Sequence, residues 1–140
     1  MKPFNGFIKP KSPAHEEINS YGLSGSVARK KAINYKELRR FAAELMTTIS
    51  QSLLRYGAKD IGHIKAYIEH DNGFLHADTL GDPADVTVKG RDGEPVNHFR
   101  LVVNSVIYGV AKETVIEATE SSVTSVLLKY RFEKDLNREE

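Results

Sequence analysis

Residues 62–80 read GHIKAYIEHDNGFLHADTL, and the fold turns on how this stretch is read. β-Branched and aromatic residues alternate with polar ones on both sides of Asn72-Gly73, a dipeptide suited to a two-residue hairpin turn. With Asn72 and Gly73 as the turn, Asp71 pairs with Phe74, Glu69 with His76 and Tyr67 with Asp78. Strand alternation then places Ile64, Ala66, Ile68, Leu75 and Ala77 on one face. The other face carries His63, Lys65, Tyr67, Glu69, His76, Asp78 and Leu80. An apolar face backed by a polar one predicts an antiparallel sheet covered on one side only.

Upstream, Asn34 followed by Glu37 three residues later is a capping-box arrangement, and Leu38, Phe41, Ala42, Leu45, Met46, Ile49 and Leu53 recur at helical spacing. The spacing predicts a helix from residue 34 that stops at Gly57. Downstream of the Gly81-Asp82-Pro83 turn, Asp85 to Lys89 reads as a third strand. From His98 to Val110, the residues Phe99, Val102, Val103, Val106, Ile107 and Val110 fit a helical face, although their β-branching suits a buried strand; the spacing favours helix. A last helix is expected from Lys112 to about Arg131. The expected fold class is α+β: a small antiparallel sheet of three or four strands packed on one face by two or three helices. Residues 1–33 hold three prolines and three glycines without sustained periodicity and read as an irregular basic arm. Residues 34–132 form the core domain in this reading, and 133–140 a solvated, charged tail.

The chain has 140 residues, 40% hydrophobic and 28% charged, enough for one domain with its own core. It has no cysteine, so disulfides, thiolate metal ligands and thiol nucleophiles are excluded. No apolar run approaches the roughly 20 residues of a membrane span, and residues 1–10 lack the apolar core of a signal peptide. The expectation is a cytoplasmic protein with no membrane partner. The net charge of +1 hides an asymmetry. Residues 1–40 carry nine Lys/Arg against three Glu, and the remainder eleven against sixteen Asp/Glu. A basic segment on an acidic body attracts anionic ligands, an acidic protein surface or a second copy of the chain.

Two residue groups carry candidate chemistry. On the polar hairpin face, Tyr67, Glu69, His76 and Asp78 could supply acid–base groups or a weak metal site, with solvated cross-strand pairs as the plainer account. In the arm, Ser24, Gly25 and Ser26 followed by Arg29, Lys30 and Lys31 could wrap a phosphate with backbone N–H groups and cations, although the pattern matches neither a Walker A loop nor a dinucleotide fingerprint. Asp78, Asp82 and Asp85 read as turn-forming residues more readily than as ligands of a hard cation. No cofactor is indicated and no metal site stands out. The leading expectation is a non-catalytic binding or accessory domain that forms a homo-oligomer. The alternatives are a small metal- or phosphate-dependent enzyme of hydrolase type, and nucleic-acid binding through the basic segment.

Overall fold

Asn34 accepts a hydrogen bond from the Glu37 N–H at 2.8 Å and opens helix α1, Tyr35–Arg55. The side-chain cap satisfies one of the four N–H groups that every helix start leaves unpaired. Leu38, Phe41, Ala42, Leu45, Met46, Ile49 and Leu53 are buried along one face, as their spacing predicts. Beyond the helix, Gly57 adopts φ 100°, a left-handed conformation that favours glycine. The structure is a computed structural model in which residues 17–82 and 85–139 are described.

Around α1 the elements follow the order β1 (Ile18–Ile33), α1, β2 (Asp60–His70), β3 (Gly73–Thr79), β4 (Val86–Gly90), β5 (Val96–Tyr108), α2 (Lys112–Lys129) and β6 (Glu133–Glu139). All six strands join one antiparallel sheet in the order β4-β3-β2-β5-β1-β6. Without the β3–β4 hairpin, the remaining strands and the two helices trace a split β-α-β-β-α-β frame. Strand β5 lies between β1 and β2, and β1 lies between β5 and β6.

Both helices lie on one face of the sheet. That face is lined by Leu23 and Val27 of β1, Ile64, Ala66 and Ile68 of β2, Leu75 and Ala77 of β3, and Phe99, Leu101 and Val103 of β5, all buried. An aromatic group sits where the two helices meet the sheet. The Phe41 ring lies 5.9 Å from Phe99 and 5.2 Å from both Tyr130 and Phe132. Tilted and edge-on rings at these distances add to the area they bury.

Several expectations are corrected. Among the described residues the sheet has six strands, not three or four, while the two helices fall within the expected number. Residues 98–108 are not helix but most of strand β5, where burial alternates through Phe99, Leu101, Val103, Ser105 and Ile107. Val102 and Val106 lie on the opposite face, so the apparent helical spacing came from apolar residues on both sides of one strand. Residues 18–33 are not an irregular arm. They form β1, in which Tyr21, Leu23 and Val27 alternate inward between small residues. Residues 1–16 of the expected arm lie outside the described residues. Residues 133–139 are not a free tail but the edge strand β6, paired with β1.

The hairpin register is also corrected. His70 pairs with Gly73, so the turn residues are Asp71 and Asn72; Glu69 faces Phe74, Tyr67 faces His76 and Lys65 faces Asp78. The His70 Nδ1 accepts the Asn72 N–H at 3.2 Å and anchors this turn. Each partner has shifted by two residues, which preserves the period-2 alternation, so every side chain keeps its expected face.

Candidate functional site

The sheet face away from the helices has no other element over it among the described residues, and the register fixes what it displays. Three lateral rows cross it. One holds Lys65 and Asp78 with Asn104 and Glu139. The next holds Asn137, Ser24, Val102, Tyr67, His76 and Lys89. The third holds Asp135, Ser26, Arg100, Glu69 and Phe74. Val106 continues the face towards the end at which β5 finishes.

Of the hairpin cluster, Tyr67, Glu69, His76 and Asp78 all reach this face. The structure brings Tyr67 and His76 together as direct cross-strand neighbours, their rings 4.7 Å apart and nearly perpendicular. Phe74, which the sequence reading left out of the cluster, closes on the other side of His76 at 5.0 Å. Glu69 and Asp78 stand in the rows on either side of His76 rather than across from it. Among the described residues, no group of three or more His, Asp or Glu side chains is arranged to hold a metal ion. Asp82 and Asp85 are turn residues: the Asp85 N–H donates to the Asp82 carbonyl at 2.8 Å, and the buried Thr79 hydroxyl lies within 3.2 Å of both backbone carbonyls.

The second candidate group is dispersed by strand geometry. Ser24 and Ser26 lie on the uncovered face in β1, opposite Val102 and Arg100. Gly25 faces the backbone of β6, and a Cβ there would stand 2.0 Å from the Asp135 carbonyl oxygen. The close approach of β6, rather than a phosphate, accounts for this glycine. Arg29 is committed to the fold. Its guanidinium pairs with Glu37 at 3.1 Å, donates to the Tyr130 carbonyl at 2.8 Å and to the Lys31 carbonyl at 2.7 Å, and lies over the Phe132 ring. Lys30 and Lys31 remain exposed where β1 leaves β5 between Ala28 and Ile33. The structure adds two residues that the sequence reading did not associate with them, His98 and Arg131, which line the same cavity.

Two further polar clusters close the helix side at its edges. Tyr21 donates to the Glu120 carboxylate, which also accepts from Arg138 Nε at 2.7 Å. The Arg138 hydrogen bond holds Glu120 below the usual carboxylate range, and burial, reinforced by Glu120, raises Tyr21 well above the ordinary tyrosine value. Tyr130 donates to Glu44 at 2.9 Å. Burial and that bond push the Tyr130 hydroxyl up to about 12. Both clusters tie α1 or α2 to a neighbouring element. Glu120 and Arg138 also border an open cavity along α2, beside Ser121, Thr124 and Ser125, but both groups are already engaged with each other.

Comparison with family models, curated proteins and solved structures finds no match to this chain. Among the described residues, no helix is long and apolar enough to cross a membrane.

Proposed function

We propose that this is a non-catalytic binding domain that self-associates through the uncovered face of its sheet. The observation that supports the reading most strongly is the arrangement of side chains about the line between β2 and β5. That line divides the sheet into β4-β3-β2 and β5-β1-β6, three strands on each side. A twofold axis along it, between two stacked sheets about 10 Å apart, sets β5 of one copy over β2 of the other and β6 over β4.

Residues in the same row then meet reciprocally. Arg100 lies over Glu69 of the second copy, and Val102 over Tyr67. The β6 edge lies over the β4 edge, where Lys89 meets Asn137 with Asp135 and Glu139 one row to either side. Opposite charges and an apolar centre are thereby matched in one isologous contact. Six strands of this length present a face on the order of 600 Å² per copy, which brings the pair to the lower end of the range that sustains stable interfaces.

Val102 and Val106, half-buried in a single chain, are covered by that contact. A single aliphatic residue on a surface is ordinary; Val102 beside Tyr67, His76 and Phe74 makes an apolar patch at the centre of the face, with Val106 beyond the row of Lys65 and Asn104. The three neighbouring rings would also suit base stacking, which keeps nucleic acid as a second reading. Glu69, Asp78, Asp135 and Glu139 on the same face repel phosphate, and this sets the second copy ahead.

The test is reversal of one charge pair. Arg100→Glu places like charges over each other and should dissociate the dimer, whereas combining it with Glu69→Arg should restore it. Equal masses for wild type and both variants would contradict the proposed contact. A short single-stranded RNA that binds the wild-type protein and loses affinity in Tyr67→Ala would favour the second reading.

A further inference from the structure

We infer a binding site for a phosphate-bearing small molecule in the cavity where the last residues of β1, the first of β5 and the α2–β6 turn come together, with Lys30, Lys31 and Arg131 holding the phosphate. The cavity measures about 610 Å³, and its lining includes these three cations, Asn97, His98 and one carboxylate, Glu133. That volume lies in the range of small-molecule sites and exceeds the needs of a bare ion. The ligand is therefore an organic phosphate of about nucleotide size, its anionic end on the cations and the rest along Asn97 and His98.

Three independent features support the site. None of Lys30, Lys31 and Arg131 has an ion-pair partner among the described residues, although the nearby Arg29 and Lys129 are both paired with glutamates. Three unpaired cations around one cavity repel each other, a cost that an anion removes.

The wall carrying two of them is built in advance. Between Ala28 and Ile33 the chain leaves its β5 partner, and the Arg29 side chain holds the departing backbone by donating to the Lys31 carbonyl. Arg29 is itself fixed by Glu37 and the Tyr130 carbonyl. It is a positioning residue: it shapes the segment that presents Lys30 and Lys31 and is not free to bind a ligand.

The third feature is backbone strain at Arg131. It is the one non-glycine residue with positive φ among those described, at 66°. It ends α2 in a Schellman arrangement, with Phe132 N–H donating to the Leu127 carbonyl at 2.9 Å and Arg131 N–H to the Leu128 carbonyl at 3.0 Å. Glycine takes this position at lower cost. An arginine kept there, with its side chain lining a cationic cavity, matches the pattern in which local strain accompanies a site.

The experiment is isothermal titration calorimetry at low salt with ATP and with inorganic pyrophosphate. Saturable one-to-one binding of ATP is expected, weakened at least tenfold by Lys30→Ala combined with Lys31→Ala, and at least tenfold by Arg131→Gly. Arg131→Gly should at the same time raise Tm by about 3 °C, because it relieves the left-handed strain. Loss of binding in a more stable protein cannot be ascribed to unfolding. The inference is overturned if neither compound binds, if ATP binds equally well to these variants, or if single-stranded RNA binds while neither small phosphate does. Failure of this site and failure of the proposed dimer are read separately: ATP titration of the Lys30, Lys31 and Arg131 variants reports on the site, and sedimentation of the same variants, none of them in the three rows of the contact, should show an unchanged mass.

Discussion

The guanidinium of Arg29 lies 5.1 Å from the centre of the Phe132 ring and joins the end of β1 to the aromatic group beneath α1. Its side chain is only 9% exposed and is paired with Glu37. Removing a nearly buried cation leaves its carboxylate and carbonyl partners unsatisfied. Arg29→Ala should therefore cost about 3 kcal/mol in denaturant unfolding. Arg29→Lys keeps the charge but not the planar fork that reaches several acceptors, so it should recover less than half of that loss. Wild-type stability in either variant would show that the cluster contributes little.

Gly25 lies against the edge strand so closely that any side chain displaces it. Gly25→Ala should destabilise the protein by about 3 kcal/mol, at the upper end of ordinary overpacking, because the obstructing atom is backbone. The damage should be local. Amide exchange across Glu133–Glu139 should accelerate before exchange in β5, and uniform acceleration across the sheet would contradict the assignment of the contact.

Three groups set the acid limit of stability. Burial holds His70 below its ordinary value of 6.5, only partly opposed by Asp71. Between 6.5 and the lowered folded value, the unfolded chain binds a proton that the folded chain does not, so stability falls as the pH drops through that window. Burial acts to raise Glu44, but hydrogen bonds from Lys129 and Tyr130 outweigh it and leave the carboxyl below 4.5. Glu120 lies below 4.5 chiefly through Arg138. Their contribution is complete above 4.5 and is lost as the pH falls through the folded values. Urea midpoints should thus decline in two stages, the first beginning as the pH falls below 6.5 and the second below 4.5. His70→Gln should flatten the first stage and leave the second. An unchanged first stage would remove His70 as its cause.

How much of this was legible in the sequence follows from which signals competed. Helix α1 was readable because its cap, apolar stripe and terminal glycine all agree. The faces of β2 and β3 were readable because alternation survives a two-residue change of register, whereas the register depends on the turn. There the Asp71-Asn72 turn, with His70 accepting the Asn72 N–H, prevailed over the Asn72-Gly73 signal. Strand β1 was hidden because its non-core positions are Gly22, Ser24, Ser26 and Ala28, small residues of low strand propensity that read as loop. Strand β6 was hidden because an edge strand can be almost entirely charged; Glu133 to Glu139 includes one apolar residue, Leu136.

The candidate site was legible only in part for the same reasons. Tyr67, Glu69, His76 and Asp78 were placed on the correct face, but Arg100 and Val102 were assigned to a helix and could not be seen as their neighbours. Lys30 and Lys31 were recognised as a basic pair. Arg131, one hundred positions beyond Lys31, reaches them only through the return of α2 and β6, which local periodicity does not encode.

Sedimentation equilibrium at micromolar protein concentration, on the wild-type chain and on Val102→Lys, tests the central claim most directly. Val102 lies on the uncovered face at the centre of the proposed contact, where a lysine remains solvated in the monomer but would be buried against Tyr67 in the dimer. The account predicts twice the 15.7 kDa chain mass for the wild type and a single chain mass for the variant, with unchanged thermal stability of the monomer fold. A wild-type protein that sediments as a monomer across the concentration range, or a variant that remains dimeric, would contradict it.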